Sequence, residues 1–318
     1  MRSMAEAVFS VVHAGPHVTV QDGGRPGLMR YGVPASGPMD RMSLRIANAA
    51  LGNPPGQAGI EVSLGGLVLD CRSGAVTLAV VGGGFIVGAG ERTLGSWQVL
   101  TVRAGERLTI RPGPWGNWTC LAFAGQLQAP CWLGSRATHV TSGLGGGRLL
   151  AGQELTIAGA EVRERGERRI PCPIWARPRA AVRAVLGPQE RCFAPGAVEL
   201  LTSAPFRLTD AYDRMGVRLH GPQLETTALS LPSEPILRGS VQVSGDGVAT
   251  VLLADHQTTG GYPKIATLIG EDIDGFVQLR PHDFARFRLV SPEEAVGIAR
   301  HRARQKAAWL ATMARAGA

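Results

Sequence analysis

At 318 residues and 44% hydrophobic, the chain is long enough to bury a full core and to form two domains. Its net charge of +8 is concentrated: residues 163–191 carry eight Arg against three Glu, residues 300–315 carry five basic groups and no acid, and the remainder holds −2. Neither basic run is interleaved with the series of aromatics that stack on bases, which argues against a nucleic-acid partner.

With 43 Gly, 21 Pro and only 5% aromatic residues, the composition predicts short strands joined by tight turns. The first strand is expected over Ala7–Val12; it is too short, with Glu6 before it and Gly15-Pro16 after it, for a signal peptide or a membrane span. Ser36-Gly37-Pro38-Met39-Asp40 carries helix-start signals, with Ser36 as cap candidate. Met39, Met42, Ile46, Ala47 and Ala50 then share one face until Gly52-Asn53-Pro54-Pro55 stops the helix. Alternating runs at Val76–Val81, Gln98–Val102, Arg107–Ile110 and Thr119–Phe123 follow. Two segments echo each other, Ala104–Ile110 and Ala151–Ile157, with a looser third at Arg280–Phe287, which points to a reused turn geometry.

These features predict a mainly β chain: an N-terminal β-barrel-like domain over 1–165, a linker over 166–180 rich in Arg and Pro, and a second β-barrel domain over 181–291. A basic C-terminal helix over 292–318 follows, its imperfect apolar stripe formed by Val296, Ala299, Trp309, Leu310 and Met313. Five scattered cysteines without a C-x-x-C pair read as reduced thiols in a cytoplasm, and the seven histidines show no paired metal spacing, so no metal site is expected.

The run Val76–Gly84 looks like a strand entering a dinucleotide-binding turn, but Gly88, Gly90 and Gly95 follow where that fingerprint needs a helix. Gly143–Gly147 lacks the Gly-Lys-Ser/Thr of a phosphate loop, and no G-x-S-x-G elbow is present. The chemistry is left to polar groups on loops.

Of 33 basic residues only Lys264 and Lys306 are lysine. Lys306 is expected in an exposed tail. Lys264 ends Ala254-Asp255-His256-Gln257-Thr258-Thr259-Gly260-Gly261-Tyr262-Pro263, where an ammonium with three donors suits an anionic group or a proton transfer, and a hairpin with a surface lysine is the plain alternative. A second polar cluster, Thr19–Gly27 with Asp22 and Arg25, leads to Tyr31–Gly37. It suits an anion near a helix start, or Asp22 and Arg25 simply pair to hold the turn. A third, Asp213–Pro222, reads either as catalytic or as an ion pair between the two halves.

The stretches VTVQDGGRPG, YGVPASGPMDRMSLRIANAALGN, LGSRATH, DRMGVRLHGP and ADHQTTGGYPKIATL, in this order, resemble the family that includes the C subunit of bacterial 5-oxoprolinase, the kinase regulator KipA and part of the carboxyltransferase region of urea amidolyase. His256, Val217 and His220 depart from the arginine, tyrosine and glutamate usual in these motifs. The resemblance implies two cyclophilin-like β-barrel domains. It also implies a complex with two partners, a KipI-like B subunit of 5-oxoprolinase and its A subunit, that opens 5-oxoproline to glutamate at the expense of ATP. That ATP is not clearly bound by this chain. It equally implies two alternatives: carboxyl transfer from carboxybiotin to urea or another amide, and a non-catalytic regulator that binds a KipI-like inhibitor. Biotin, if used, is not carried here, since neither lysine lies in a carrier context. The residues it implies are Lys264, Asp255 and Arg25 for catalysis, and Asp22, Ser36, Gln257, Thr258, Thr259, Gly260, Gly261, Tyr262, Arg214, Arg238 and Gln242 for the substrate. The loops at 19–40 and 255–264 are then expected to line a cleft over which the KipI-like partner closes.

Overall fold

The computed structural model describes residues 5–163, 167–227 and 231–317; residues 164–166 of the Arg-rich stretch lie outside the described residues. The chain is mainly β and divides into two units: Met1–Arg25, Gly37–Arg177 and Ala307–Ala318 form one, Pro26–Ser36 and Pro178–Lys306 the other.

The first unit is built from two antiparallel sheets. The seven-stranded one runs, in spatial order, Gln126–Leu127, Glu154–Ala158, Glu6–Ala14, Leu67–Ser73, Arg107–Arg111, Ile86–Ala89 and Arg92–Gly95. The six-stranded one runs Arg168–Arg169, Gln98–Arg103, Ala75–Val81, Trp118–Phe123, Gly59–Ser63 and Thr19–Gln21. Their facing side chains, among them Phe9, Leu69, Val76, Leu78, Val80, Ile110 and Phe123, make the main core. The strand Ala75–Val81 is apolar apart from Thr77, whose buried hydroxyl bonds that of Thr101 at 2.8 Å, because both of its faces are covered. Val76, Leu78 and Val80 enter that core, while Ala79 and Val81 meet Met42, Ile46, Ala47 and Ala50 of helix α1 (Arg41–Ala50).

Helix α1 begins later than its sequence signals suggest. Asp40, not Ser36, is the cap: its Oδ1 accepts the Ser43 amide at 2.9 Å and its Oδ2 the Ser43 hydroxyl at 2.6 Å. The Met39 amide, ahead of the helix, donates to the Glu61 carboxylate at 2.5 Å. Gly82–Gly84 turns directly into the strand Ile86–Ala89, so no helix follows the glycine turn.

The second unit is a closed barrel, ordered Ala181–Leu186, Lys264–Leu268, Ser240–Val243, Ala249–Leu252, Gly216–His220, Phe206–Tyr212 and Phe284–Leu289. Its first and last strands close the ring as a parallel pair, Ala181 opposite Arg286 through Ala184 opposite Leu289. Phe206 and Phe287 stack edge to face at 5.6 Å inside it. The short helices α2 (Ala197–Ser203) and α3 (Gly270–Phe276) belong to this unit. Helix α4 (Pro292–Gly317) starts with a reciprocal cap, the Ser291 amide to Glu294 at 2.9 Å and the Glu294 amide to the Ser291 hydroxyl at 3.1 Å. Its distal Trp309, Leu310 and Met313 pack against the α1 cluster, with Trp309 edge-on to Trp175 at 6.0 Å. No helix among the described residues is long and apolar enough to cross a membrane, and all five cysteines are thiols.

The sequence echoes are one turn used three times. Glu106, Gln153 and Asp283 donate their amides to the carbonyl three residues earlier, and their side chains accept that residue's amide at 2.7, 2.8 and 2.8 Å. Each turn also exchanges a bond pair with a neighbouring strand residue, Cys71, Val11 and Leu208. The third turn residue must take a positive φ: Gly105 at 87°, Gly152 at 88° and, in the looser echo, His282 at 75°. A side chain there is strained, and the His282 contact with Asp210, at 3.3 Å, joins two exposed groups. His282→Gly is therefore expected to raise stability by about 1 kcal/mol in urea denaturation, and a loss of stability would contradict this account.

Candidate active site

The strand Lys264–Leu268 follows the polar loop directly, and its register against Ser240–Val243 sets Gln242 opposite Lys264. Lys264 is 6% exposed. Its amide donates to Gln189 Oε1 at 2.8 Å and its Nζ to Glu234 Oε2 at 3.3 Å, while Gln189 Nε2 donates to the same Glu234 oxygen at 2.7 Å. Gln242 Nε2 donates to the Tyr262 carbonyl at 3.3 Å, and Gln257 Nε2 to Gln242 Oε1 at 3.4 Å. The result is one ammonium, one carboxylate and three carboxamides in a single cluster.

Glu234 is brought there by a two-stranded ribbon in which Glu234 and Pro235 pair with Gly260 and Thr259. The ribbon packs closely on the cluster: a Cβ on Gly260 would lie 2.6 Å from Ile236 Cδ1 and 3.1 Å from Gln242 Nε2, so both side chains would have to shift. Among the described residues, Glu234 is the one partner of the Lys264 ammonium, and its carboxylate is 46% exposed. A buried ammonium with three donors and a half-exposed partner is equipped to accept an incoming anion or a developing oxyanion.

Asp255 and Arg214 form a buried pair at the start of the same loop. Both side chains are 1% exposed, and they form a bidentate pair, Arg214 Nε to Asp255 Oδ2 and Nη2 to Oδ1, each at 3.0 Å. The Asp255 amide also donates to the Arg214 carbonyl at 2.8 Å. The ion pair expected between the two halves thus lies within the second unit, where it fixes the start of the 255–264 loop. His256, 4% exposed, bonds the Gln257 carbonyl through Nδ1 at 2.6 Å.

A carboxyltransferase domain profile, subdomains A and B, matches residues 31–289. The chain belongs to this carboxyltransferase-domain family. It is 33% identical over 293 residues to the C subunit of 5-oxoprolinase from Escherichia coli K12, covering 91% of this chain and 93% of that protein. It is 30% identical to a putative urea carboxylase of Emericella nidulans, over 91% of this chain and 25% of that much longer protein. The crystal structure of Kluyveromyces lactis urea carboxylase superposes with a TM-score of 0.85 at 23% identity, over 96% of this chain and 29% of that one, a likeness of fold.

The family motifs pair off in space. In the first unit VTVQDGGRPG is tied to LGSRATH: Asp22 accepts the Gly24 amide at 2.8 Å, the Ser135 hydroxyl at 2.6 Å and the Arg136 amide at 2.6 Å. Arg25, 2% exposed, donates to the carbonyls of Trp132 at 2.9 Å, Ser135 at 3.3 Å and Ala137 at 2.5 Å, and lies 4.8 Å over the Trp132 ring. Asp22 and Arg25 thus both clamp residues 132–137. They belong to the first unit, as do these partners; Lys264, Asp255, Gln257, Thr258, Thr259, Gly260, Gly261, Tyr262, Arg214, Arg238 and Gln242 belong to the second. Tyr262 is exposed and Arg238 half-buried.

Ser36 is 1% exposed at φ 52°, and among the described residues its hydroxyl makes no hydrogen bond. A strained, buried and unsatisfied serine fits a binding role. We expect Ser36→Gly to gain about 1 kcal/mol in thermal melts while raising KM in the assembled enzyme; a stability gain with unchanged KM would remove Ser36 from the substrate set.

Glu234 and Gln189 were not foreseen from the sequence. The signal available was slight: an acid between two prolines in Pro232-Ser233-Glu234-Pro235, and a glutamine after Gly187-Pro188. Lys306, expected in an exposed tail, is instead mostly buried against Glu271 at 2.6 Å.

Proposed function

We propose that the chain is the substrate-handling member of an ATP-coupled complex that opens 5-oxoproline to glutamate, working with the KipI-like B subunit of 5-oxoprolinase and its A subunit. The observation that carries this reading is the Lys264 cluster, set in a chain similar along nearly its whole length to the C subunit of 5-oxoprolinase. In this mechanism Lys264 displaces from Glu234 toward the substrate and holds its carboxylate or the oxyanion that develops on the lactam carbonyl. Gln242 and Gln257 offer both donors and acceptors to the flat amide, and Glu234, released from the ammonium, handles the proton. Asp255 acts through Arg214 as a positioning residue for the loop. ATP hydrolysis supplies the driving force. Docking of the KipI-like partner over this loop excludes bulk water, apart from the one water that gives its OH to the lactam carbonyl carbon and its H to the leaving nitrogen, and supplies groups in trans.

Reconstitution with the two partner proteins tests this: glutamate is released from 5-oxoproline with ATP, and a complete system that releases none overturns the proposal. Carboxyl transfer is the second reading, favoured by the family profile and the urea carboxylase relative. It predicts instead that a carboxylated biotin carrier and urea are consumed together. Lys264 and Lys306 both lie in ion pairs, which supports a carrier on another protein.

A further inference from the structure

The first unit contains a second candidate site, made from two sequence features that the lactam reading leaves unused: the glycine turn at Gly82–Gly84 and the arginines of the 163–191 stretch. A cavity of about 710 Å³ is lined by Arg111, Arg169 and Arg177 together with Trp97, Trp115 and Cys172, and none of its lining residues is acidic. The Asp40 carboxylate is not among the lining residues and accepts the Ser43 amide and hydroxyl at the start of α1.

The walls are rigid. Gly83 accepts bonds from the Trp97 indole at 2.9 Å and the Ser96 hydroxyl at 2.8 Å, and the Gly84 amide donates to the Trp115 carbonyl at 2.7 Å. A Cβ on Gly84 would lie 2.4 Å from Trp115 Nε1, and one on Gly113 would lie 1.9 Å from the Gly84 carbonyl, so this wall requires bare backbone. Arg177 lies over the Trp115 ring at 4.9 Å, which holds its planar guanidinium in an otherwise exposed side chain.

We propose that this cleft binds a nucleoside di- or triphosphate. Three exposed arginines without an acid suit several phosphate charges, since guanidinium forks match phosphate oxygens. The volume exceeds what a bare phosphate fills and falls in the range of organic-ligand sites. The exposed guanidinium of Arg177, held on Trp115 beside the half-buried Ile86, offers a planar surface on which a base can stack. The glycine turn that fails as a dinucleotide fingerprint therefore serves a phosphate ligand by another geometry, with side-chain guanidinium groups in place of a helix N-terminus.

The test is calorimetric titration of the full chain with ATP, ADP, pyrophosphate and adenosine, and it does not depend on lactam turnover. ATP or ADP binds saturably, one per chain. Arg111→Gln, Arg169→Gln and Arg177→Gln each weaken it by about tenfold, as expected for loss of a charge-assisted contact, whereas Lys264→Met leaves it unchanged. Bound ADP also slows alkylation of Cys172 and not of the exposed Cys131, read by mass spectrometry. Absence of saturable binding, affinities unmoved by the arginine substitutions, or pyrophosphate or adenosine binding as tightly as ADP would each overturn the proposal. Circular dichroism of the variants separates lost binding from lost folding.

Discussion

Replacing Lys264 with Met is expected to lower turnover by the reconstituted complex by about 10²–10³-fold while leaving the complex assembled and the melting temperature little changed. The ammonium is buried, yet the carboxylate it leaves behind, Glu234, is 46% exposed and keeps its bond from Gln189, so water and an amide take over. A methionine preserves most of the volume, which limits the packing loss. Arginine should not rescue: its planar fork is larger and differently directed than an ammonium in a site that is 6% exposed. Glu234→Gln should retain binding and lose rate, and its residual activity should show a different pH profile from the parent. Measured kcat and KM for both variants distinguish the catalytic reading from a binder without chemistry. If Lys264→Met turns over normally, the cluster is not the reaction centre.

Lys264 was legible because lysine is so scarce in this chain that one retained in a polar loop stands out. Gln242 and Gln257 came with the family resemblance, but Glu234 and Gln189 were not legible, for a physical reason: Glu234 reaches the site through a ribbon of two residues per strand, too short to leave any periodicity, and Gln189 through a connection after a strand. The repeated turn was readable because a positive φ and a side-chain acceptor one residue later impose a local pattern, and that pattern survived even where His282 replaced glycine. The start of α1 was misplaced because Ser-Gly-Pro imitates a cap, whereas the decisive bonds are the two that Ser43 donates, from its amide and its hydroxyl, to the Asp40 carboxylate. Non-local pairings escaped altogether. The parallel seam that closes the barrel joins residues about a hundred positions apart, and the partner of Lys306 is an acid on α3.

The second large effect expected is on stability. Asp255→Ala should cost about 3–5 kcal/mol in urea denaturation, because it leaves the Arg214 guanidinium buried with its bidentate carboxylate removed. Arg214→Met should cost a similar amount by removing the guanidinium that holds the buried carboxylate at two points. With both side chains 1% exposed, neither charge can turn to water without moving the loop, unlike Glu234 in the pair with Lys264. The double replacement Arg214→Met with Asp255→Leu removes both charges at once and should recover most of the loss, since a buried ion pair often does no better than apolar groups of similar volume. Function then separates from folding in this variant. If the pair only positions the 255–264 loop, the restored fold should carry substantial activity with a raised KM. If Asp255 itself exchanges a proton with the substrate, the double variant should be stable and inactive. Single variants that cost less than about 1 kcal/mol would show that the loop relaxes around the loss and that the pair does not anchor it.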